Sequence, residues 1–304
     1  MLQTLFIKKE VYMMSGDTRQ IENKPIEVGG RKKVKRKWFF VAVCILIVSG
    51  GLITKTPFVE SFFGKKATTN FDDYKTEVGH TTENNLGELT LNEVIVDDNQ
   101  LLLNAIFVPK DGINFDHQIF FFPQVLVNGQ DYTVRNRGQS IKHRDNKYTI
   151  YSSVQVSELP QDNTLTLDIS YSKWNLDQPI DQPWDFHVEA SQKKVQEDKK
   201  IILINETIAL TNGNEVKVTK VVSTPISTTI YYHLAKSSSE TVSFKIKSTS
   251  GKAWRWNSGF TLGDEADALS ANRFDTLYLT EDKYYLVPIG ADDKELGPSI
   301  QVGK

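Results

Sequence analysis

The sequence is short of the groups that carry chemistry. Its 304 residues include one cysteine, Cys44, so no disulfide can brace a fold within the chain. Five histidines (His80, His117, His143, His187 and His233) are scattered, and none falls into the i, i+4 pair or the Cys/His spacing of zinc sites. No Gly-x-Ser-x-Gly elbow, P-loop or dinucleotide fingerprint occurs. The carboxylate pairs Asp97-Asp98, Asp264-Glu265 and Asp292-Asp293 fall in expected turns, without the Asp-x-Asp-x-Asp-Gly pattern of a calcium loop. Ser and Thr are plentiful, but a nucleophile needs a base and an oxyanion hole around it. The expectation is a non-enzymatic protein with no metal and no cofactor.

Charge is balanced overall, at 36 basic and 38 acidic residues, but not evenly spread. Six of the seven residues from Arg31 to Lys37 are basic, and the apolar run Trp38 to Ile53 follows at once. A greasy window fenced by cations on one side and Lys55 on the other reads as a transmembrane helix over residues 38–55. Trp38 to Thr54 would span about 25 Å at 1.5 Å per residue, slightly less than a hydrocarbon core of about 30 Å. Lys37 and Lys55 can snorkel, and Trp38 suits one interface and Phe58, Phe62 and Phe63 the other. The cationic side should stay in the cytoplasm, which places the C-terminal bulk outside the cell. A cleaved signal peptide fits less well, because Ser49-Gly50-Gly51 followed by Leu-Ile-Thr is a poor small-x-small site. Cys44 sits inside the apolar run, not after it, which argues against a lipoprotein. The basic cluster is explained by an anionic leaflet, at about 1 kcal/mol per residue, and no other basic stripe points to nucleic acid.

An exported β-rich chain without disulfides is more typical of a Gram-positive bacterium than of an animal. Residues 1–37 are expected to form a short disordered cytoplasmic tail. Lys8-Lys9-Glu10-Val11 is also what a purine-rich ribosome-binding site would encode ahead of Met13 and Met14, so residues 1–12 or 1–13 read as untranslated.

Beyond the span, residues 56–84 are polar with few large aliphatics and read as an extracellular stalk. From Glu88 the texture turns to short β segments separated by turn residues. Glu88 to Val96 alternates, Gln100 to Val108 is a near-continuous apolar strand, and Asn128-Gly129 is a hairpin signal between Gln124–Val127 and Tyr132–Val134. Trp184-Asp-Phe186-His-Val188 alternates cleanly and closes this unit. A charged stretch over residues 192–200 makes a linker, after which Ile201 to Leu210, Asn212-Gly213-Asn214 and Glu215 to Ser223 begin a second β-rich unit, in which Ala253 to Leu262 reads as one further strand. The fold class is therefore mainly β: one N-terminal transmembrane helix, then two tandem immunoglobulin-like antiparallel sandwiches over residues 85–191 and 201–304. A faint echo links Leu89–Asp97 with Glu215–Ser223, each a strand running into a turn and a second strand.

The weak candidates for ligand binding are Trp254 and Trp256, which flank Arg255 and would project from one face of a strand. Exposed, they form an aromatic platform for sugar or protein; buried, they are core residues of the second unit.

The Lys-Arg-Lys-Trp38 junction, the single span, Pro57-Phe58, the segment Leu89 to Ala105, and the stretch from Trp184-Asp-Phe186 through Val221-Val-Ser-Thr-Pro225-Ile-Ser-Thr228 form a pattern. It resembles a Gram-positive single-pass membrane family with an extracellular domain of unknown function and a C-terminal immunoglobulin-like companion. Members of that family are often described as anti-sigma-factor-like. The resemblance implies an accessory or sensor component of an envelope regulatory system, with a regulatory membrane partner and an extracellular protein or cell-wall ligand. This chain has no His or Cys ahead of Cys44, so the zinc-type module that sequesters sigma factors is not written into it. The alternative is a structural or adhesive surface protein that displays its β units without signalling.

Overall fold

A computed structural model describes residues 71–113, 121–175, 178–234, 242–263, 268–279 and 282–303. The expected cytoplasmic tail, the span over 38–55 and the first part of the stalk lie outside the described residues. Among the described residues no helix is long and apolar enough to cross a membrane. The chain is mainly β, and its sheets are antiparallel throughout.

Two facing pairs of sheets bury two separate cores. The first pair joins a five-stranded sheet, ordered β1-β2-β3-β6-β5, to a three-stranded one, ordered β4-β7-β8. Its strands are β1 (Lys75–Glu83), β2 (Gly87–Asp97), β3 (Gln100–Pro109), β4 (Gln124–Val127), β5 (Thr133–Lys142), β6 (Tyr148–Val156), β7 (Thr164–Trp174) and β8 (Gln178–Ser191). Strict alternation in β7 and β8 turns Leu165, Leu167, Ile169 and Tyr171, and Trp184, Phe186, Val188 and Ala190, toward the first core. Trp184 is the pivot of that core. Its indole meets Phe107 and Phe121 edge-on at 5.3 and 5.2 Å, and its Nε1 donates to the Gly87 carbonyl at 3.1 Å.

The second pair joins a five-stranded sheet, β14-β15-β11-β10-β9, to a four-stranded one, β13-β12-β16-β17. These strands are β9 (Lys200–Ala209), β10 (Glu215–Ser223), β11 (Ser227–Leu234), β12 (Ser243–Ser248), β13 (Ala253–Arg255), β14 (Ser258–Leu262), β15 (Leu269–Asp275), β16 (Lys283–Ile289) and β17 (Ile300–Gly303). Val216, Val218, Val221, Ile230, Phe244, Ile246, Phe274 and Leu286 fill the second core. Asn212-Gly213-Asn214 does close the β9–β10 hairpin, with Gly213 at φ 81°, a region that favours glycine.

Four local expectations give way. The stalk does not run to residue 84, because β1 pairs with β2 along the edge of the first large sheet. Its polar texture is that of a solvated edge strand. Residues 192–200 are no free linker either. Lys193–Asp198 forms a short helix, α1, whose Val195 is fully buried. Asn128-Gly129 makes the tight turn its sequence encodes, with φ 49° and 78°, yet β4 and β5 do not pair. Instead β4 joins β7 and β5 joins β6, so the turn carries the chain from one sheet to the other. Likewise Ala253 to Leu262 is two strands in two sheets, broken at Trp256-Asn257. A turn signal fixes local dihedrals, and the burial of the flanking residues decides which sheet each arm joins.

Trp184→Ala is expected to cost about 3–5 kcal/mol, whereas Trp256→Ala at the surface should stay within about 0.5 kcal/mol. Chemical denaturation of the two variants checks the contrast.

Candidate functional site

The outer face of the first large sheet is not solvated. Gln100 to Val108 reads as a continuous apolar run because β3 is covered on both sides. Leu101, Leu103 and Ala105 enter the first core, while Leu102 turns outward. There Leu102 joins Ile95, Tyr151, Val195 of α1 and Ile226 of the β10–β11 turn in a separate buried cluster, with Phe71 and Tyr74 against it. The surface opposite is the outer face of the second large sheet, where Val222, Tyr231, Phe260 and Ala271 are buried with Val134 packed against them. The two sandwiches therefore meet outer face to outer face.

At the centre of this seam lies a buried ion pair. Asp97, at the end of β2, has a side chain with no exposure, and Arg273, in β15, is 2% exposed. Arg273 Nη1 donates to Asp97 Oδ2 at 2.5 Å and to Ser227 Oγ at 2.6 Å. Ser227 Oγ in turn donates to the same carboxylate oxygen at 2.6 Å, and Thr224 Oγ1 donates to Oδ1 at 2.7 Å. Thr224 Oγ1 also accepts from the Ile226 and Ser227 amides, so one hydroxyl both shapes the β10–β11 turn and ties it to Asp97. Every donor to this carboxylate comes from the second sandwich, and the carboxylate itself comes from the first.

A second layer surrounds the pair. Tyr231 donates to Asp98 at 2.7 Å, and Lys199 sits 3.6 Å from the same carboxylate. Tyr74 donates to Asp198 of α1 at 2.8 Å. Arg137 Nη1 donates to the Asn257 carbonyl at 2.7 Å, and burial, with the nearby Arg135 charge, lowers its pKa. Asn257 in turn donates through Nδ2 to Asp275, whose carboxyl burial pushes up. The seam is polar where the cores are not. Nε and Nη2 of Arg273 and Oγ1 of Thr229, which lies opposite it on β11, have no protein partner. Gln100 and Gln155, which share the cross-strand row of Asp97, each keep an unpartnered amide oxygen. Such an interface specifies one orientation more than it contributes raw stability.

Trp254 and Trp256 do not form a platform. Trp254 lies in β13, half-buried at the rim of the second core, edge-on to Tyr284 at 5.7 Å with Lys252 Nζ 4.3 Å from its ring. Trp256 falls in the crossing between sheets and is 39% exposed. They do not share a strand. The histidines do not assemble either. His187 meets Asp168 at 2.7 Å on an exposed face, beside a shallow depression of about 390 Å³ lined by Leu126, Ile169 and Phe186. Among the described residues no group of three or more His, Cys, Asp or Glu is placed to hold a metal ion. Sequence reasoning reached Asp97 and Asp98 only as turn residues and passed over Arg273. The available signal was a cation in the interior of Leu-Ser-Ala-Asn-Arg273-Phe-Asp275, a strand whose other charge, Asp275, lies at its end.

No protein-family model matches the chain, and no curated protein matches it. A crystal structure described as that of the conserved domain protein from Bacillus anthracis is similar, with a TM-score of 0.58 at 18% identity over 76% of this chain and 83% of that one. At that identity the likeness is one of fold. Its extent exceeds what either sandwich could supply alone.

Arg273→Met should destabilise by about 3–5 kcal/mol, because it strands a buried carboxylate. Asp97→Asn combined with Arg273→Met should cost less than the sum of the two, by about 1 kcal/mol or more, in a double-mutant cycle read by urea denaturation. Alkali should loosen the same seam. Burial, then the hydrogen bond to Asp198, pushes the Tyr74 phenol up to about 12, and burial, then the Asp98 charge, raises Tyr231 well above its usual 10. Each phenol holds its proton more tightly when folded, so this contribution is intact below pH 10 and is lost as pH climbs through about 12. Tyrosinate absorbance and near-ultraviolet dichroism followed together should show phenol ionisation and seam opening in that window.

Proposed function

We propose that this chain is a single-pass, membrane-anchored, non-enzymatic envelope protein that presents two immunoglobulin-like β domains outside the cell. Its role is that of an accessory or sensor component of an envelope regulatory system, related to the anti-sigma-factor-like regulators that its sequence resembles. The observation that carries the reading is the pairing of a cation-fenced apolar run over residues 31–55 with a β-rich unit whose polar investment goes into the seam. The charge asymmetry supports the orientation, with the N-terminus in the cytoplasm. The seam supports a recognition role, because Asp97 and Arg273 hold two sandwiches as one surface for an extracellular protein or cell-wall ligand.

The fold likeness to a bacterial protein is compatible with this source and compartment, and the family likeness supplies the regulatory context. No nucleic-acid partner is proposed. The display reading, in which the same anchored unit has no signalling role, differs in its partners and not in its topology.

Protease added to intact protoplasts should remove a C-terminal tag and leave an N-terminal tag protected. Survival of the C-terminal tag overturns the topology. Crosslinking followed by capture from detergent-solubilised membranes then separates the two roles. A regulatory membrane protein or sigma factor among the crosslinked partners supports the sensor, and recovery of structural envelope proteins alone supports display.

A further inference from the structure

β3 and β9 both have apolar residues on two faces, and of these two only β3 is covered on both. β3 is flanked by neighbours and hidden by the seam. β9 is an edge strand, and it opens Lys200-Ile-Ile-Leu-Ile204. Ile202 and Ile204 lean on the second core, while Ile201 and Leu203 turn the other way and are 52% and 72% exposed. They stand beside Val222 and Lys220 of β10, on the face that the first sandwich covers farther along the sheet. Edge strands are ordinarily blunted with charge or proline, and nothing of the kind interrupts Ile201 to Ile204.

The place of this patch is informative. The described chain begins at Phe71, and Tyr74 is bonded to Asp198, two residues before β9. Tyr278, 46% exposed, lies close enough to raise the Tyr74 phenol, and its neighbour Leu277 accepts a hydrogen bond from Ser223, the partner of Lys200. Among the described residues, three of the five exposed large hydrophobics thus gather at the corner beside Phe71. Lys193, Lys194 and Lys200 edge the same corner, with Lys194 paired to Asp198 at 3.0 Å.

We propose that this corner rests on the phospholipid bilayer, with Ile201, Leu203 and Tyr278 dipping into the headgroup layer and the lysines level with the phosphates. The inference rests on the anchored reading above. Residues 56–70 are the whole connection between the proposed span and Phe71. Fully extended they reach about 50 Å, so on the anchored reading the corner beside Phe71 stays within that distance of the bilayer. Apolar side chains flanked by lysines are the composition of an interfacial contact. Because Asp72, Asp73, Glu197 and Asp198 offset the local positive charge, the contact is mainly apolar and should persist at high salt.

The test uses the full chain in vesicles of phosphatidylcholine and phosphatidylglycerol that contain doxyl-labelled lipid. Cys44→Ser provides a cysteine-free background, and an environment-sensitive fluorophore is placed at Lys200→Cys or, as a control, at Asn212→Cys, at the far end of the β9–β10 hairpin. About fivefold stronger doxyl quenching at 200 than at 212, retained at 1 M salt and reduced to the control level by I201E/L203E, is the expected result. Equal quenching at both positions in a chain that resists carbonate extraction overturns the bilayer contact and leaves the anchor standing. Release of the chain by carbonate overturns the anchor, and this inference with it. A fluorescence shift at 200 that grows with protein density and shows no doxyl quenching overturns the contact in favour of a second copy paired along β9.

Discussion

A carboxylate that no solvent reaches has to be answered by the protein, and Asp97 is answered entirely from the other sandwich. Its three donors, Thr224, Ser227 and Arg273, lie 127 to 176 residues away in sequence. Each sandwich alone would expose half of this arrangement. The pair therefore makes the two cores conditional on each other. Separating them would leave a buried arginine and a buried aspartate to be rehydrated, together with the Ile95, Leu102, Tyr151, Val195 and Ile226 cluster beside them.

The same constraint explains features of the strands that would otherwise look unrelated. β3 is apolar on both faces because one faces the first core and the other faces the seam. Gln100 and Gln155, in the row of Asp97, are buried yet polar, and Gln100 donates to Ser153 on the neighbouring strand. α1 looks like a charged spacer, yet it buries Val195 and presents Asp198 to Tyr74, so even the connection between the sandwiches takes part in fixing their angle. The two hairpin tips that meet at Asp97 are also the segments whose sequences echo each other, Leu89–Asp97 and Glu215–Ser223.

Much of this architecture was legible before any coordinates. Period-two patterning marks β7, β8 and the first half of β10, since each has one face in a core, and the Asn-Gly-Asn turn locates the β9–β10 hairpin. What was not legible depends on the neighbours a segment meets at long range. Asn128-Gly129 encodes a turn but not the sheet each arm will join. The Ala253 to Leu262 run looks continuous because its break at Trp256-Asn257 contains no glycine or proline. β1 was hidden because an edge strand with polar residues on both faces has the texture of a stalk. The seam was hidden for a deeper reason. Asp97-Asp98-Asn99 is a good turn whatever lies opposite, and sequence alone does not pair it with an arginine 176 residues on.

On the proposed sensor reading, a unit locked in this way restricts how it could report an event outside the cell. A flexible two-domain receptor signals by changing the angle between its domains, and such motion is the default when the interface is small and weakly held. Here a change of angle would break a fully desolvated charge pair and expose the apolar cluster behind it. A ligand would have to supply that difference through its affinity for the opened form. Binding that leaves the seam intact can shift the unit only as a whole. On the anchored reading, the informative coordinate is therefore the position of the β unit over the membrane, and the residues that control it are those around Tyr74, Asp198 and β9, not those in the cores.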